Sequence, residues 1–206
     1  MPPTQRRRDP SEAPRPSPRK RQGGSRQATY VPPLTTTHEE LLSPDGDRDS
    51  DFRAVVYMMN TVLSRLQVCR EAFGQSIALT ATQFVVLLGV AHRQLDTGVS
   101  ITALAAHLSI ASTHVTTEVG RLVDMGLLRK TPHATDKRSV LISLTPPGMA
   151  RVDEVSPLVQ RVNDHLFRGM SAAEFKVLGE GLARIARNSE FALAELRMQK
   201  MYAPAT

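Results

Sequence analysis

Residues 100–145 hold two short stripes of apolar residues at helical spacing, a three-residue turn between them, and a basic pair of alternating segments after them. Together these predict a mainly α fold with a small β-hairpin, the layout of a winged helix-turn-helix. The first helix is expected over 101–108, with Ser100 as N-cap and Ile101, Leu104, Ala105 and Leu108 on one face. A turn over 109–111 then leads to a second helix over about 112–125, buried through Val115, Val119, Leu122 and Val123. The opposite face carries Ser112, Thr113, His114, Thr116, Thr117 and Arg121, with Glu118 as its only carboxylate, toward one flank. Hydroxyl, imidazole and guanidinium groups on such a face suit base edges and phosphates, and a helix of this width fits a major groove. Gly126 falls where a left-handed C′ residue ends the helix, and Leu127 and Leu128 carry the chain back into the core.

After Gly126 the period changes from 3.6 to 2. Two strands are expected, over 128–131 and 139–144, the second pointing Val140, Ile142 and Leu144 away from Leu141 and Ser143. Between them lies a polar tip with Lys137 and Arg138. A cationic ribbon tip suits a narrow minor groove, whose negative potential favours an inserted guanidinium. Asp136, two residues before Arg138, is expected to orient it.

Apolar helices flank this unit on both sides. Asp49 or Ser50 is expected to cap one carrying Phe52, Val55, Val56, Met59, Val62, Leu63 and Leu66, and Thr80 to cap another carrying Phe84, Leu87, Leu88 and Ala91. Thr145–Pro146 opens a further helix, which Pro157 is expected to kink. Ser171 and Glu174 form a capping box for the last, with Phe175, Leu178, Leu182, Ile185 and Leu196 at helical spacing. This is more apolar helix than one small domain covers, so a second copy of the chain is the expected partner of the terminal helices.

Composition separates a tail from the domain. Residues 1–47 are expected to be a disordered Pro/Arg-rich basic tail, and 48–200 one domain, with dimerisation helices at 48–76 and 146–200 around a DNA-binding unit at 80–145. Residues 1–30 hold eight Lys and Arg against two acidic residues, leaving 18 basic and 18 acidic residues in 31–206. DNA affinity of the folded part therefore has to come from local charge, with the tail available as a phosphate-binding arm. The Arg cluster is followed by no apolar signal region and no stretch suits a membrane span, so cytoplasmic residence without membrane contact is expected.

Other chemistry is sparse. Six histidines, at 38, 92, 107, 114, 133 and 165, include no H-x-x-x-H pair and have one cysteine, Cys69, for company. No metal site and no cofactor are expected. No nucleophile–base pair, paired carboxylates or phosphate-cradling glycine loop is evident, so an enzyme is not expected. A winged-helix module that binds a protein partner without DNA is the alternative the fold permits, and oxidation sensing through Cys69 is another.

The ordered set of motifs resembles the MarR family of winged-helix regulators. Thr113 with Val115 and Thr116 matches the start of that family's reading helix, Gly126–Leu127 its closing GL pair, Asp136 with Arg138 its D-x-R wing, and Leu144, Thr145 and Gly148 its LT-x-x-G. The resemblance runs from about Phe52 to Leu196. It implies a homodimeric repressor on palindromic double-stranded DNA, its two reading helices about one turn apart. It also implies release by a small amphipathic or phenolic effector, for which Met59, Leu63, Phe84 and Leu88 are the candidate pocket walls. Cys69 lies toward the end of the first helix, whereas peroxide-sensing relatives carry theirs nearer its start, and urate-responsive relatives use a tryptophan that this chain lacks.

Overall fold

A computed structural model describes residues 30–44, 48–132 and 140–202. The chain divides into two compact units between Val55 and Val56.

In the first unit a single 3-10 turn at Glu39–Leu41 precedes helix α1 (Ser50–Ser76), whose first turns belong to this unit. Asp49, fully buried, stands just before the helix and its backbone carbonyl accepts from Arg53 N at 3.0 Å. Its carboxylate accepts from both the N–H and the hydroxyl of Thr35, each at 2.7 Å, and pairs with the Arg53 guanidinium. These donors favour the ionised form, and the Thr35 N–H and hydroxyl hold the carboxyl below its ordinary value. Within the expected tail, residues 30–44 are described, and there Thr35 is tied to Asp49, a long-range bond that composition does not reveal.

The second unit is built around α2 (Ala81–Arg93), α3 (Ile101–Leu108) and α4 (Ser112–Asp124), a three-stranded antiparallel sheet, and α5 (Pro146–Leu166). The strands are β1 (Val99–Ser100), β2 (Leu128–Pro132) and β3 (Val140–Leu144), in the order β1-β3-β2. The core is continuous: Phe84, Val86, Leu87 and Val90 of α2 meet Leu104, Val115, Val119, Leu122, Leu128, Ile142 and Val155. Helices α2, α3 and α5 begin where a side chain satisfies an open N–H group. Thr80 and Gln83 form a capping box for α2, Ser100 accepts from Ala103 N, and Thr145 accepts from Gly148 N. The last helix, α6 (Ala172–Tyr202), opens on the Ser171–Glu174 box, whose hydrogen bonds from Ser171 lower the Glu174 pKa.

One feature departs from the sequence expectation. Strand β1 is only two residues long, too short to show a period, and it forms because Val99 and Ser100 pair with Ile142 and Leu141 of β3. Pro157 lies within the continuous helix α5. Among the described residues no single helix is long and apolar enough to cross a membrane. The outer helices stay conspicuously apolar: Val62, Leu63 and Val68 of α1 and Phe175, Leu182, Ile185 and Leu196 of α6 are all exposed.

Candidate nucleic-acid interface

Helix α3 ends at Ser109, a non-glycine residue in the left-handed region (φ 53°), and Ile110 N reaches back to Ala105 O at 3.1 Å. That turn sets α4 against α3. Val115, Val119 and Leu122 are fully buried and clamp one side of α4 to the core. Ser112, Thr113, His114, Thr116, Thr117 and Arg121 are all exposed on the other side. Apart from Glu118, the inner and outer residues of α4 fall where the spacing places them. Ala111, at the N-cap, offers no side-chain cap, and in the first turn His114 N donates to its carbonyl at 2.9 Å. The hydroxyls of Thr116 and Thr117 donate to the carbonyls of Ser112 and Thr113 at 2.8 and 3.0 Å. Their oxygens remain free to accept.

Glu118 is the exception on this helix. Read from the sequence as a flank residue of the polar face, it is 4 % exposed, with its carboxylate turned in beside Val115, Val119 and Leu122. Oε1 accepts from Arg121 Nη1 at 2.7 Å and lies 3.8 Å from His114 Nε2. The spacing carried a signal, since residues three and four apart share a helix face.

At its end α4 closes as a Schellman motif: Gly126 is left-handed (φ 72°), Leu127 N reaches Leu122 O at 2.9 Å, and Gly126 N reaches Val123 O at 2.8 Å. Arg129 and Lys130 follow on β2, both exposed, with Arg129 Nε donating to Ser143 Oγ at 2.9 Å. The wing tip, with Asp136, Lys137 and Arg138, lies outside the described residues, as do residues 1–29.

A cleft of about 250 Å³ opens between α1, α2, α3 and α5. Phe84 and Leu88 line it, together with Leu66, Cys69, Phe73 and Leu108, while Arg70, His92, His107 and Asn163 give it polar groups. Met59 and Leu63 do not line it, and Leu63 is exposed. They lie on the same stripe of α1 as Leu66 and Phe73, one to two turns too early. Cys69 is half-buried and forms no disulfide. Among the described residues no cluster of three or more His, Cys, Asp or Glu side chains has the disposition to hold a metal.

Residues 79–140, from the capping residues of α2 to the first residue of β3, match the model of the MarR family. The Multiple antibiotic resistance protein MarR of Salmonella typhimurium is 29% identical over 132 residues, which cover 64% of this chain and 88% of that protein. Among solved structures, the S. aureus MepR–DNA complex is similar with a TM-score of 0.57 at 18% identity, covering 65% of this chain and 94% of that one. The PcaV transcriptional regulator of Streptomyces coelicolor, solved with its natural ligand, gives 0.50 at 21% identity, over 62% and 91% of the two chains. At these identities the solved structures speak to the fold, and they agree with a mostly helical chain bearing a small antiparallel sheet. The family match lies on the helix-turn-helix itself and the curated relative extends the likeness beyond it, so over this part the chain is similar to the MarR family of transcriptional regulators.

Proposed function

We propose that this regulator is a homodimeric repressor that places α4 in successive major grooves of a palindromic operator and leaves it when a small amphipathic effector binds. The observation that carries the DNA-reading part is the outer face of α4, where six polar residues stand exposed on a helix locked into the core by Val115, Val119 and Leu122. In the MepR complex the partner is DNA, which supports the same partner here. Ser112, Thr113, His114, Thr116, Thr117 and Arg121 are assigned to the major groove, and Lys137 and Arg138, oriented by Asp136, to the minor groove beside it.

The exposed apolar stripes of α1 and α6 support a dimer, since a second copy buries both without needing any other partner. The cleft supports an effector of modest size. At about 250 Å³ it falls below the roughly 300–1,000 Å³ of drug-sized sites and suits a single-ring compound against Phe84 and Leu88. A hundredfold loss of operator affinity needs only about 2.7 kcal/mol of preference by the effector for the released shape.

Selection of duplexes from a randomised pool, followed by anisotropy titration, tests the reading. Arg138→Ala is expected to weaken binding to the selected duplex by roughly 1–3 kcal/mol. Failure of the wild-type protein to enrich any sequence points to a winged-helix protein-interaction module instead. Deleting residues 1–47 reduces the dependence of affinity on salt if the tail meets phosphate.

A further inference from the structure

Glu118 stands at the border of the apolar face of α4. It shares its face with Val115, Val119 and Leu122, and its side chain is 5% exposed, against 56% for His114 and 60% for Arg121. One oxygen is engaged by Arg121 Nη1 at 2.7 Å and stands 3.8 Å from His114 Nε2. The other, Oε2, is buried without a hydrogen-bond partner among the described residues. A half-satisfied carboxylate in such a setting weakens the fold, and an apolar residue of similar volume packs there more favourably. Stability does not explain its presence.

What the carboxylate does is hold the guanidinium. Arg121 otherwise swings on a long side chain and meets whichever acceptor is nearest, usually a phosphate. Tied to Glu118 it is ordered before DNA arrives, one N–H is used, and four remain on the planar fork. The charge of the pair is also cancelled, which removes the attraction that makes an arginine a generic phosphate contact. A phosphate sharing that guanidinium lies close to a buried carboxylate of like sign, whereas a neutral pair of acceptors incurs no such repulsion. In the major groove the pair of neutral acceptors that matches an arginine fork is guanine O6 and N7.

We infer that Glu118 is a positioning residue that converts Arg121 from a phosphate contact into a reader of a guanine edge, fixing base preference at one position in each half-site at the expense of overall affinity. The inference rests on α4 being the DNA-facing helix. It assigns Arg121 to sequence preference rather than to salt-dependent attraction.

The test uses full-length protein and the duplexes selected by the wild type. Affinities are measured for the selected site, all its single-base variants and a scrambled duplex. Glu118→Gln keeps the size of the side chain and removes its charge. It is expected to bind scrambled DNA several-fold more tightly, to steepen the log–log salt slope by about 1.8, that is about 0.9 for each half-site, and to lose at least tenfold in the selected-to-scrambled ratio. That loss is concentrated at one symmetric pair of G·C positions. Arg121→Lys, an exposed substitution that keeps the charge but not the fork, is expected to erase preference at the same pair, and it carries the test should Glu118→Gln fail to fold by circular dichroism. The inference is overturned if Glu118→Gln changes selected and scrambled affinities by one common factor, or if Arg121→Lys leaves the base-preference profile intact. If the wild-type protein selects no sequence, the assignment of α4 to DNA falls, and the inference with it; if it selects one and both variants keep its profile, only the inference falls.

Discussion

Gly148 is the residue whose replacement by alanine most directly tests how the reading helix is joined to the outer helices. It sits in the first turn of α5, and a Cβ built on it lies 2.1 Å from the Leu127 carbonyl oxygen and 3.2 Å from a Leu144 methyl. Leu127 belongs to the Schellman closure of α4, and Leu144 ends the wing strand. The same few residues are tied together by Thr145, whose N–H donates to Leu127 O at 3.1 Å and whose hydroxyl donates to Gly126 O at 2.6 Å while accepting from Gly148 N at 3.1 Å. An alanine here forces backbone to move by roughly 1 Å against a close-packed neighbour. Overpacking of this kind costs about 1–3 kcal/mol, and disturbing the Thr145 cap adds about 1 kcal/mol. The better helix propensity of alanine returns at most about 1 kcal/mol. The net is a loss of about 1–3 kcal/mol, which for a unit of this size lowers Tm by roughly 2–12 °C. Thermal unfolding followed by circular dichroism at fixed protein concentration measures it. A Tm within 2 °C of wild type refutes the steric reasoning and the role given to this junction.

Gly120 on α4 provides the opposite case: nothing lies within 4 Å of its added Cβ. Gly120→Ala should raise stability by about 0.5–1 kcal/mol through helix propensity alone, visible as a Tm increase in the same melt. On α6, Leu182→Glu or Ile185→Glu places a charge on an exposed apolar stripe. In a two-fold dimer each substitution acts twice, so the dissociation constant should rise at least about 100-fold, read by light scattering on a sizing column. Asp49 has its carboxyl pKa lowered by the Thr35 N–H and hydroxyl, so the stability it contributes is present above the ordinary value of 3.8 and is lost as the pH falls through the lowered one. Hydrogen exchange at the Thr35 amide should therefore be slow relative to the intrinsic rate from pH 5 to 7 and lose protection in stronger acid, and Asp49→Asn should weaken protection across the whole range.

Most of the winged helix was legible because its signals are local. Ser100, Thr80, Thr145 and the Ser171–Glu174 box cap the helices where the sequence placed them, and Gly126 ends α4 in the left-handed conformation that its position suggested. What escaped depends on contacts distant in sequence. Strand β1 exists through two pairs with β3, some forty residues away. The cleft illustrates the same limit from the other side. Of the four residues the resemblance suggested for a pocket, Phe84 and Leu88 line the cleft and Met59 and Leu63 do not, because the height at which α2 and α5 cross α1 is a tertiary fact, and it brings Leu66 and Phe73 there. Glu118 was misplaced for a third reason. Its position on the helical wheel borders both faces, and the buried choice is made by its bond to Arg121. Gly148 was visible as one letter of a motif, yet only the 2.1 Å approach to Leu127 explains why that letter is glycine.

The distribution of charge separates affinity from selectivity. Over Ser112–Asp124 the residues with a formal charge are Glu118, Arg121 and Asp124, so with histidine left out of the count α4 carries a formal net charge of −1. Attraction to DNA has to come from elsewhere: from the exposed Arg129 and Lys130 of β2, from Lys137 and Arg138 in the sequence of the wing tip, and from the eight Lys and Arg of residues 1–30. Salt weakens these contacts for every DNA sequence alike, because each phosphate contact releases counterion regardless of the base beside it. On the proposed reading, the groups on α4 act through hydrogen bonds whose donors and acceptors do not change with ionic strength. Raising salt should accordingly lower the affinity for selected and scrambled duplexes by similar factors while the ranking of single-base variants stays the same. A ranking that flattens as salt rises would place part of the sequence preference in the basic segments rather than on α4.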